Sequence, residues 1–354
     1  MLSEIQQAWL LFANDDRFSR SQKRELWQRH LEPNKIFAAV GAPRLNRKIR
    51  SIISEVEQFA QKNEHHVLSL SDSTYPHLLA QIHDPPWLLY CCGDLALLNA
   101  ANIAMVGSRR PSTNGKLAAR RTADYLAKAG AVIVSGMALG VDALCHTAAL
   151  DSGYKTIAVL ATGVDQVYPA RHRGLYKRIS EQGLLVSEYL LGQSAFKHHF
   201  AERNRIVSGL SYATVIIEAA ERSGTLITAR AAIEQNRDVC VVPGSMFNQN
   251  YQGSNRLIQQ GAILLQQPAQ VLTSMPEAWL QDLEQNSHPE PRANELSSTQ
   301  AQAVLSCLQQ GVLNIDGIIE CSGLTASQVC SMLTVLEVEG LVITSGDGYY
   351  TKAE

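Results

Sequence analysis

One stretch of the chain, Asn102–Asp142, constrains the fold more than any other. Residues 103–106 form a short apolar run that ends at Gly107, which indicates a buried strand. A turn with two arginines follows, then a helical pattern over 116–129 and a second apolar run over 131–134. Strand, helix and strand in this order predict a βαβ unit with parallel strands and a right-handed crossover.

The same alternation of apolar runs and helical patterns continues to residue 265. The apolar runs cover 156–160, 184–187, 213–218, 238–242 and 263–265, and the helical patterns cover 174–182, 204–210, 226–235 and 255–260. Such alternation is typical of an α/β fold, with a doubly wound parallel sheet covered by helices on both faces. Ligands of these sheets bind at the carboxyl ends of the strands.

Smaller modules are predicted on both sides of this core. Short amphipathic patterns over 1–62 indicate a small helical domain, SAM-like or helix-hairpin-like. The core then covers 63–275, and its irregular first part, 67–98, is interpreted as a lead-in. Prolines and acidic residues over 276–296 predict a linker, and three helical patterns with a hairpin over 297–354 predict a winged-helix domain.

The composition excludes several classes of protein. No apolar run approaches the roughly 20 residues of a membrane span, and the N-terminus does not resemble a signal peptide. The seven cysteines are scattered without a C-x-x-C pair, which predicts reduced thiols in the cytoplasm rather than a disulfide or zinc framework. We therefore predict no membrane association, no metal and no cofactor.

The distribution of charge is more informative than the net charge of −2. Residues 101–265 carry 18 Lys and Arg against 11 Asp and Glu, which favours a polyanionic partner for the core. Residues 1–62 carry 11 against 7, and their basic helix faces fit either a nucleic-acid contact or a solvated structural appendage.

Small, polar and basic residues follow the predicted strands and should meet at one edge of the sheet. Backbone N–H groups at such glycines and at helix N-termini bind phosphate oxygens, guanidinium groups pair with phosphate, and aromatic rings stack on bases. The candidate DNA-binding residues are Gly107, Ser108, Arg109, Arg110, Ser135, Gly136, Arg171, Lys197, Phe200, Arg203, Asn204, Arg205, Ser223, Gly224 and Thr225. Taken singly, each of these cations is more often a solvated surface charge, and the Gly-Ser-Arg turn could equally be an ordinary link between strand and helix.

Sequence signals for catalysis are weaker than those for nucleic-acid binding. The dinucleotide pattern G-x-G-x-x-G and the phosphate-binding pattern GK[ST] are both absent. His146 has no nucleophile or metal spacing beside it. Glu188 and Glu218 could form an acid–base pair, but the sequence does not show whether they lie close together. No catalytic residue is predicted.

Taken together, the motifs resemble those of the DprA/Smf family of bacterial DNA-processing proteins. The resemblance covers roughly residues 67–265 and is carried by GSRRPSTNG (107–115), SGMALGVD (135–142), ATGVDQVYPARHRGLY (161–176), SEY (187–189), FAERNRIVSGLS (200–211), SGTLITARAAIEQNRDVCVVPGS (223–245) and GSNRLIQQGA (253–262). It implies an extended Rossmann-like fold that binds single-stranded DNA and forms a homodimer, for which 235–265 is a reasonable surface. It also implies protection of incoming DNA and help in loading the RecA recombinase during natural transformation.

The fold is also similar to that of phosphoribohydrolases of the lysine-decarboxylase-like group, whose PGGxGTxxE motif holds a catalytic glutamate. The corresponding stretch here is SGTLITA, with Ala229 near the position of that glutamate. A protein that binds DNA without catalysis is therefore predicted, with a nucleotide-binding or nucleotide-hydrolysing enzyme as the alternative.

The predicted winged helix lacks the charge that such domains use to bind DNA. Its third helix, Thr325–Glu339, contains no Lys or Arg, and the module from residue 297 has only Lys352 against six acidic residues. Winged helices usually place the third helix in the major groove among phosphates. We therefore expect this module to contact a protein rather than DNA.

Overall fold

A computed structural model describes residues 2–277, 279–281, 299–309, 311, 313–338, 340–345 and 348–353. The chain divides into two compact units, Met1–Leu283 and Glu284–Glu354. The predicted linker at 276–296 lies largely outside the described residues, and so does Asp347 in the predicted wing. None of the helices within the described residues is long and apolar enough to cross a bilayer.

The first unit is built on a nine-stranded sheet with the order β1-β2-β6-β5-β4-β3-β7-β8-β9. Its strands are β1 His65–Ser69, β2 Leu88–Gly93, β3 Asn102–Val106, β4 Val132–Ser135, β5 Thr156–Val159, β6 Leu184–Ser187, β7 Ala213–Ile216, β8 Asp238–Val241 and β9 Ile263–Leu264. Strands β3 to β9 are parallel to one another, which confirms the predicted α/β sheet.

The interpretation of residues 67–98 as an irregular lead-in is wrong. This segment contributes β1 and β2, which pair antiparallel with each other, and β2 pairs antiparallel with β6. All six residues of β2 are buried, so the strand shows no alternation of apolar and polar residues, and the surrounding prolines obscured it.

Eleven helices of the first unit surround the sheet within the described residues. They are α1 Glu4–Ala13, α2 Arg20–His30, α3 Pro33–Val40, α4 Arg47–Ala60, α5 His77–Ala80, α6 Thr113–Lys128, α7 Val141–Asp151, α8 Arg173–Gln182, α9 Lys197–Gly209, α10 Thr225–Glu234 and α11 Gln252–Gln259. Helix α9 begins seven residues before the pattern predicted from the sequence. The prediction missed its first two turns because their charged residues hide the apolar period.

The parallel strands are apolar on both faces, as expected for a sheet with helices on both sides. On one face, Ile103 and Ile133 pack with Ala119 and Leu126 of α6 in one buried cluster. On the other face the strands pack with residues of α9 and α10. The helices on both faces fix the sheet, so the turns at the strand ends project from a rigid base.

The four N-terminal helices share a hydrophobic core with the antiparallel edge of the sheet. Trp9 and Phe12 of α1 are fully buried and belong to the same cluster as Tyr90 of β2 and Leu185 of β6. The indole N–H of Trp9 also donates a hydrogen bond of 2.9 Å to the hydroxyl of Ser71. The division of this unit after residue 62 stays a prediction.

The second unit has the predicted outline of a winged helix. It consists of α12 Thr299–Leu308, β10 Leu313–Asn314, α13 Ile315–Ser322, α14 Ala326–Val338, β11 Val342–Ser345 and β12 Tyr349–Lys352. The three strands form a small antiparallel sheet, and the three helices enclose a core of aliphatic side chains.

Two cysteines in this unit are joined, so the prediction of reduced thiols is wrong for them. Cys307 of α12 and Cys321 of α13 form a disulfide, with their Cα atoms 5.9 Å apart. The separation suits a disulfide, and it results from the packing of two helices that the cysteine spacing does not reveal. The other five cysteines are free.

Candidate nucleic-acid interface

The chain reverses its direction of winding at β3. Strands β4, β5 and β6 lie on one side of β3, and the chain then returns to place β7 on the other side. Ligands of open α/β sheets usually bind at such a switch point, outside the carboxyl ends of the strands. The residues that follow β3 and β7 therefore decide what this edge of the sheet can bind.

The position between these strand ends is filled by a side chain of the protein itself. Glu218, which follows β7, is fully buried, and its carboxylate accepts hydrogen bonds from the backbone N–H of Ser112 at 3.1 Å and from its hydroxyl at 2.5 Å. Ser112 is the N-cap of α6, so the carboxylate occupies the place where a helix N-terminus would otherwise hold a phosphate. A nucleotide phosphate cannot bind there unless Glu218 leaves.

Glu188 and Glu218 cannot act as the acid–base pair that the sequence left open. Glu188 follows β6 and Glu218 follows β7, with β5, β4 and β3 between them. At about 4.8 Å per strand spacing, the two strand ends are roughly 19 Å apart. Glu188 is also bound to Arg205, so each carboxylate has its own partner.

A group of one cation and two rings lies at the same edge, and we call it the strand-end cluster: the exposed Arg109 and Tyr168 with the partly buried Phe200. The guanidinium carbon of Arg109 lies 5.4 Å from the centre of the Phe200 ring, within the range of a cation–π contact. The rings of Phe200 and Tyr168 are also 5.4 Å apart, and Tyr168 is 50% exposed. Three distant segments thus present a positive charge and aromatic faces side by side.

Close packing against α7 holds the turn that carries Arg109. The backbone N–H of Val141 donates a hydrogen bond of 3.1 Å to the carbonyl oxygen of Ser108. Gly140 has a φ of +80°, and a Cβ at this position would lie 2.3 Å from that same oxygen. A Cβ on Gly107 would lie 2.7 Å from the side chain of Val141. Glycine is therefore required at both places.

Four of the predicted cations are exposed at this edge: Arg109, Arg110, Arg171 and Lys197. Arg110 follows Arg109 directly, Arg171 lies in the turn before α8, and Lys197 is the first residue of α9. Within the described residues none of the four forms an ion pair. Their charges are therefore available to a ligand.

The small predicted residues are mostly engaged within the protein. Ser135 is buried and donates a hydrogen bond of 2.6 Å to the carbonyl oxygen of Met105, and Gly136 is buried beside it. The hydroxyl of Ser223, just before α10, accepts a hydrogen bond of 3.2 Å from the N–H of Thr225, and Gly224 between them, the N-cap residue, is exposed. These residues shape the turns, and the side chains of Ser135 and Ser223 already have hydrogen-bond partners within the protein.

Arg203 lies beneath the turns after β4 and β5 and is only 3% exposed. Its guanidinium donates hydrogen bonds to the carbonyl oxygens of Gly136 and Val159. Burial lowers the pKa of Arg203, and the carboxylate of Asp142 opposes this effect. Burial likewise raises the pKa of Asp142, against the charge of Arg203 and the N–H groups of Ala138 and Gly136. Arg203 therefore braces the site from inside.

Arg205 is also engaged internally. Its guanidinium pairs with Glu188 at 2.6 Å and with Asp84 at 3.1 Å, and Arg20 of α2 pairs with Asp84 at 3.2 Å and with Glu202 at 2.6 Å. Burial lowers the pKa of Arg205, but the neighbouring carboxylates outweigh it and raise the pKa above the ordinary value. Because both guanidinium groups are engaged within the protein, their positions do not support the direct contacts with DNA that were predicted for Arg203 and Arg205. Asn204 is half-buried beside Arg203.

Comparison with known proteins identifies related chains. The family model described as DNA recombination-mediator protein A matches residues 66–276, and the model described as DprA winged helix domain matches residues 288–348. Protein Smf of Escherichia coli is 36% identical over 303 residues, which cover 85% of this chain and 80% of that protein. The DNA processing protein DprA of Streptococcus pneumoniae is 42% identical over 204 residues, covering 58% of this chain and 72% of that protein.

Two solved structures are similar as well. The X-ray structure of DprA from Streptococcus pneumoniae has a TM-score of 0.62 and 33% identity, covering 78% of this chain and 94% of that one. A structure of DNA processing protein A from Helicobacter pylori has a TM-score of 0.54 and 32% identity, covering 63% of this chain and 99% of that one. The Helicobacter pylori structure is described as giving insight into the single-stranded DNA binding mode of that protein.

Proposed function

Because this chain belongs to the DprA/Smf family of DNA-processing proteins, we propose that it binds single-stranded DNA at the carboxyl ends of its strands and acts without catalytic turnover. The strand-end cluster carries this proposal, since a free guanidinium beside two accessible rings suits a phosphate next to an unstacked base. The single-strand binding of the relative from Helicobacter pylori supports the same assignment.

Binding would depend mainly on the DNA backbone. Arg109 supplies a planar charge for a phosphate, and Arg110, Arg171 and Lys197 add charge around it. Phe200 and Tyr168 offer ring faces on which any base can stack. Such contacts carry little sequence information, so the protein would accept single strands of many sequences.

The experiment that tests this function is a salt titration with matched single- and double-stranded oligonucleotides. Single-strand affinity should fall steeply with salt, with a log–log slope of about −0.7 per neutralised phosphate. Duplex should bind more weakly at every salt concentration because its stacked bases cannot reach the rings. Equal or tighter binding of duplex would overturn the proposal.

The carboxylate of Glu218, which occupies the switch point of the sheet, supports the proposal that the protein has no catalytic turnover. With Glu218 at the N-terminus of α6 and Glu188 bound to Arg205, neither carboxylate is placed to hydrolyse a nucleotide. Nucleoside monophosphates incubated with the protein should release no more free base than with a Glu188→Ala, Glu218→Ala variant. Release above that control would favour the phosphoribohydrolase-like alternative.

We also propose that the protein protects incoming DNA in the cytoplasm and helps load RecA during natural transformation. Family membership supports this role. The test is to measure the rate of RecA filament assembly on single strands with and without the protein, and an unchanged rate would contradict the proposal.

A homodimer is proposed through the surface formed by 235–265. Strand β9 pairs only with β8 among the described strands, and Ile263, Leu264, Met246 and Phe247 are exposed there, the last at 88%. An open strand edge with apolar neighbours suits association. Sedimentation at micromolar concentration should show twice the chain mass, and a strict monomer would refute the dimer.

The winged-helix unit is proposed to contact a protein. The exposed residues of α14 include Ser327, Gln328, Ser331 and Thr334, all uncharged, so this helix offers no cation to a phosphate. Deleting residues 297–354 should change single-strand affinity by less than about twofold, or roughly 0.5 kcal/mol. Micromolar binding of duplex by the isolated unit at moderate salt would contradict this assignment.

A further inference from the structure

A groove between α6 and α7 opens beside the strand-end cluster. Arg109 and Arg110 stand at one end, and Lys116 and Arg120 of α6 line its side. Ala143 and Leu144 of α7, both partly buried, form part of its floor, and no carboxylate lies among its lining residues. The groove therefore combines an apolar floor with a positive wall.

The cations of this wall are available to a ligand. Lys116 and Arg120 are both exposed, and within the part of the chain that the structure describes neither forms an ion pair. Lys128, further along the same helix, differs, because its Nζ is 2.8 Å from the carboxylate of Asp124. The unpaired charge on α6 therefore lies on Lys116, Arg120 and Arg121, and the first two of these line the groove.

The spacing of the two side chains fits a chain of phosphates. Residues four apart lie on the same face of a helix, and a rise of 1.5 Å per residue separates them by about 6 Å along the axis. This distance is comparable to the spacing of neighbouring phosphates in an extended single strand. A positive groove that follows the backbone is the usual way to bind a single strand of any sequence.

We propose that this groove is a second phosphate-binding segment, into which a single strand continues from Arg109 so that its backbone passes Lys116 and Arg120. The inference rests on the proposed function and deepens it by giving the path that the strand follows from Arg109 along the groove. The apolar floor at Ala143 and Leu144 accommodates the sugars, and the strand-end cluster holds the bases.

The test compares the wild type with a Lys116→Ala, Arg120→Ala variant on short and long oligo-dT. The short strand has about 6 nucleotides, within the roughly 4–16 nucleotides of single-strand binding sites, and the long strand has about 20, more than such a site covers. The long strand should lose roughly tenfold in affinity at low salt, and its log–log salt slope should become shallower by about 1.4. The short strand, held by the strand-end cluster, should bind both proteins within about twofold.

A Lys128→Ala, Lys155→Ala variant is the matched control. It removes the same net charge from two exposed lysines that are each paired with an aspartate outside the groove. This control should keep the wild-type salt slope. The conservative variant Lys116→Arg, Arg120→Lys should also keep it, and thermal unfolding of all variants shows whether the fold is intact.

The outcomes separate the groove from the strand-end site. An unchanged slope on long strands, or an equal loss on short and long strands, would overturn the groove. A slope lost equally in the control would mean general attraction rather than a site, and would overturn it too. If the wild type itself binds no single strand, the proposed function fails and the groove fails with it.

Discussion

Replacing Arg109 with alanine is expected to weaken single-strand binding by about tenfold to hundredfold, equally for all sequences. The change removes an exposed guanidinium that makes no ion pair within the described residues, so its charge is fully available to a phosphate and is lost in the variant. It also removes the cation beside the Phe200 ring. The log–log salt slope should become shallower by about 0.7, the value for one phosphate.

Arg121→Ala is a suitable control because Arg121 is exposed on α6 but lies outside both the strand-end cluster and the groove. Fluorescence anisotropy with several oligonucleotides at a series of salt concentrations measures both variants. If Arg109→Ala binds like Arg121→Ala, the guanidinium of Arg109 does not contact the DNA. A loss confined to one sequence would contradict binding through phosphates.

A different outcome is expected for Arg203→Met, whose main effect should be on stability. The change leaves the buried carboxylate of Asp142 without its neighbouring charge and removes the donor to the carbonyl groups of Gly136 and Val159. Removing one member of a buried charged arrangement typically costs about 3–5 kcal/mol. The free energy of unfolding, measured by urea denaturation, should fall by about this amount.

DNA binding distinguishes this bracing role from direct contact. Under conditions where Arg203→Met is folded, its affinity for single strands should stay within about threefold of the wild type, far less than the loss expected for Arg109→Ala. Adding Asp142→Asn should restore part of the stability, because the uncompensated carboxylate is then removed. A variant that is fully stable but binds no DNA would show that Arg203 is a direct ligand.

Much of the fold was predictable because the sheet is simple in physical terms. Strands that are buried on both faces form short apolar runs in the sequence, and the helices between them follow a regular period. The misses occurred where that signal fails. Helix α9 begins with a charged segment, and β2 is flanked by prolines that suggested irregular structure. The partner of Cys307 depends on helix packing and has no local signal.

The location of the candidate site could be predicted from the sequence, but the roles of its individual arginines could not. Arg109, Arg203 and Arg205 have the same charge, so all three were predicted to contact DNA. A helical pattern from His199 would have separated them, because Arg203 falls on the same face as Ile206, Val207 and Leu210, which are buried. The carboxylate partners of Arg205 come from distant segments, so only the fold could show them.

The core shared by the N-terminal helices and the antiparallel sheet edge affects how the molecule opens. Trp9 and Phe12 belong to one buried cluster with Tyr90 and Leu185, so the helices cannot separate from the sheet without exposing large apolar side chains to water. Backbone amides of α1 and of β2 should therefore exchange hydrogen through a common opening event, as parts of one cooperative unit. A segment that looks like an appendage along the chain is thus tied energetically to the structure that carries the site.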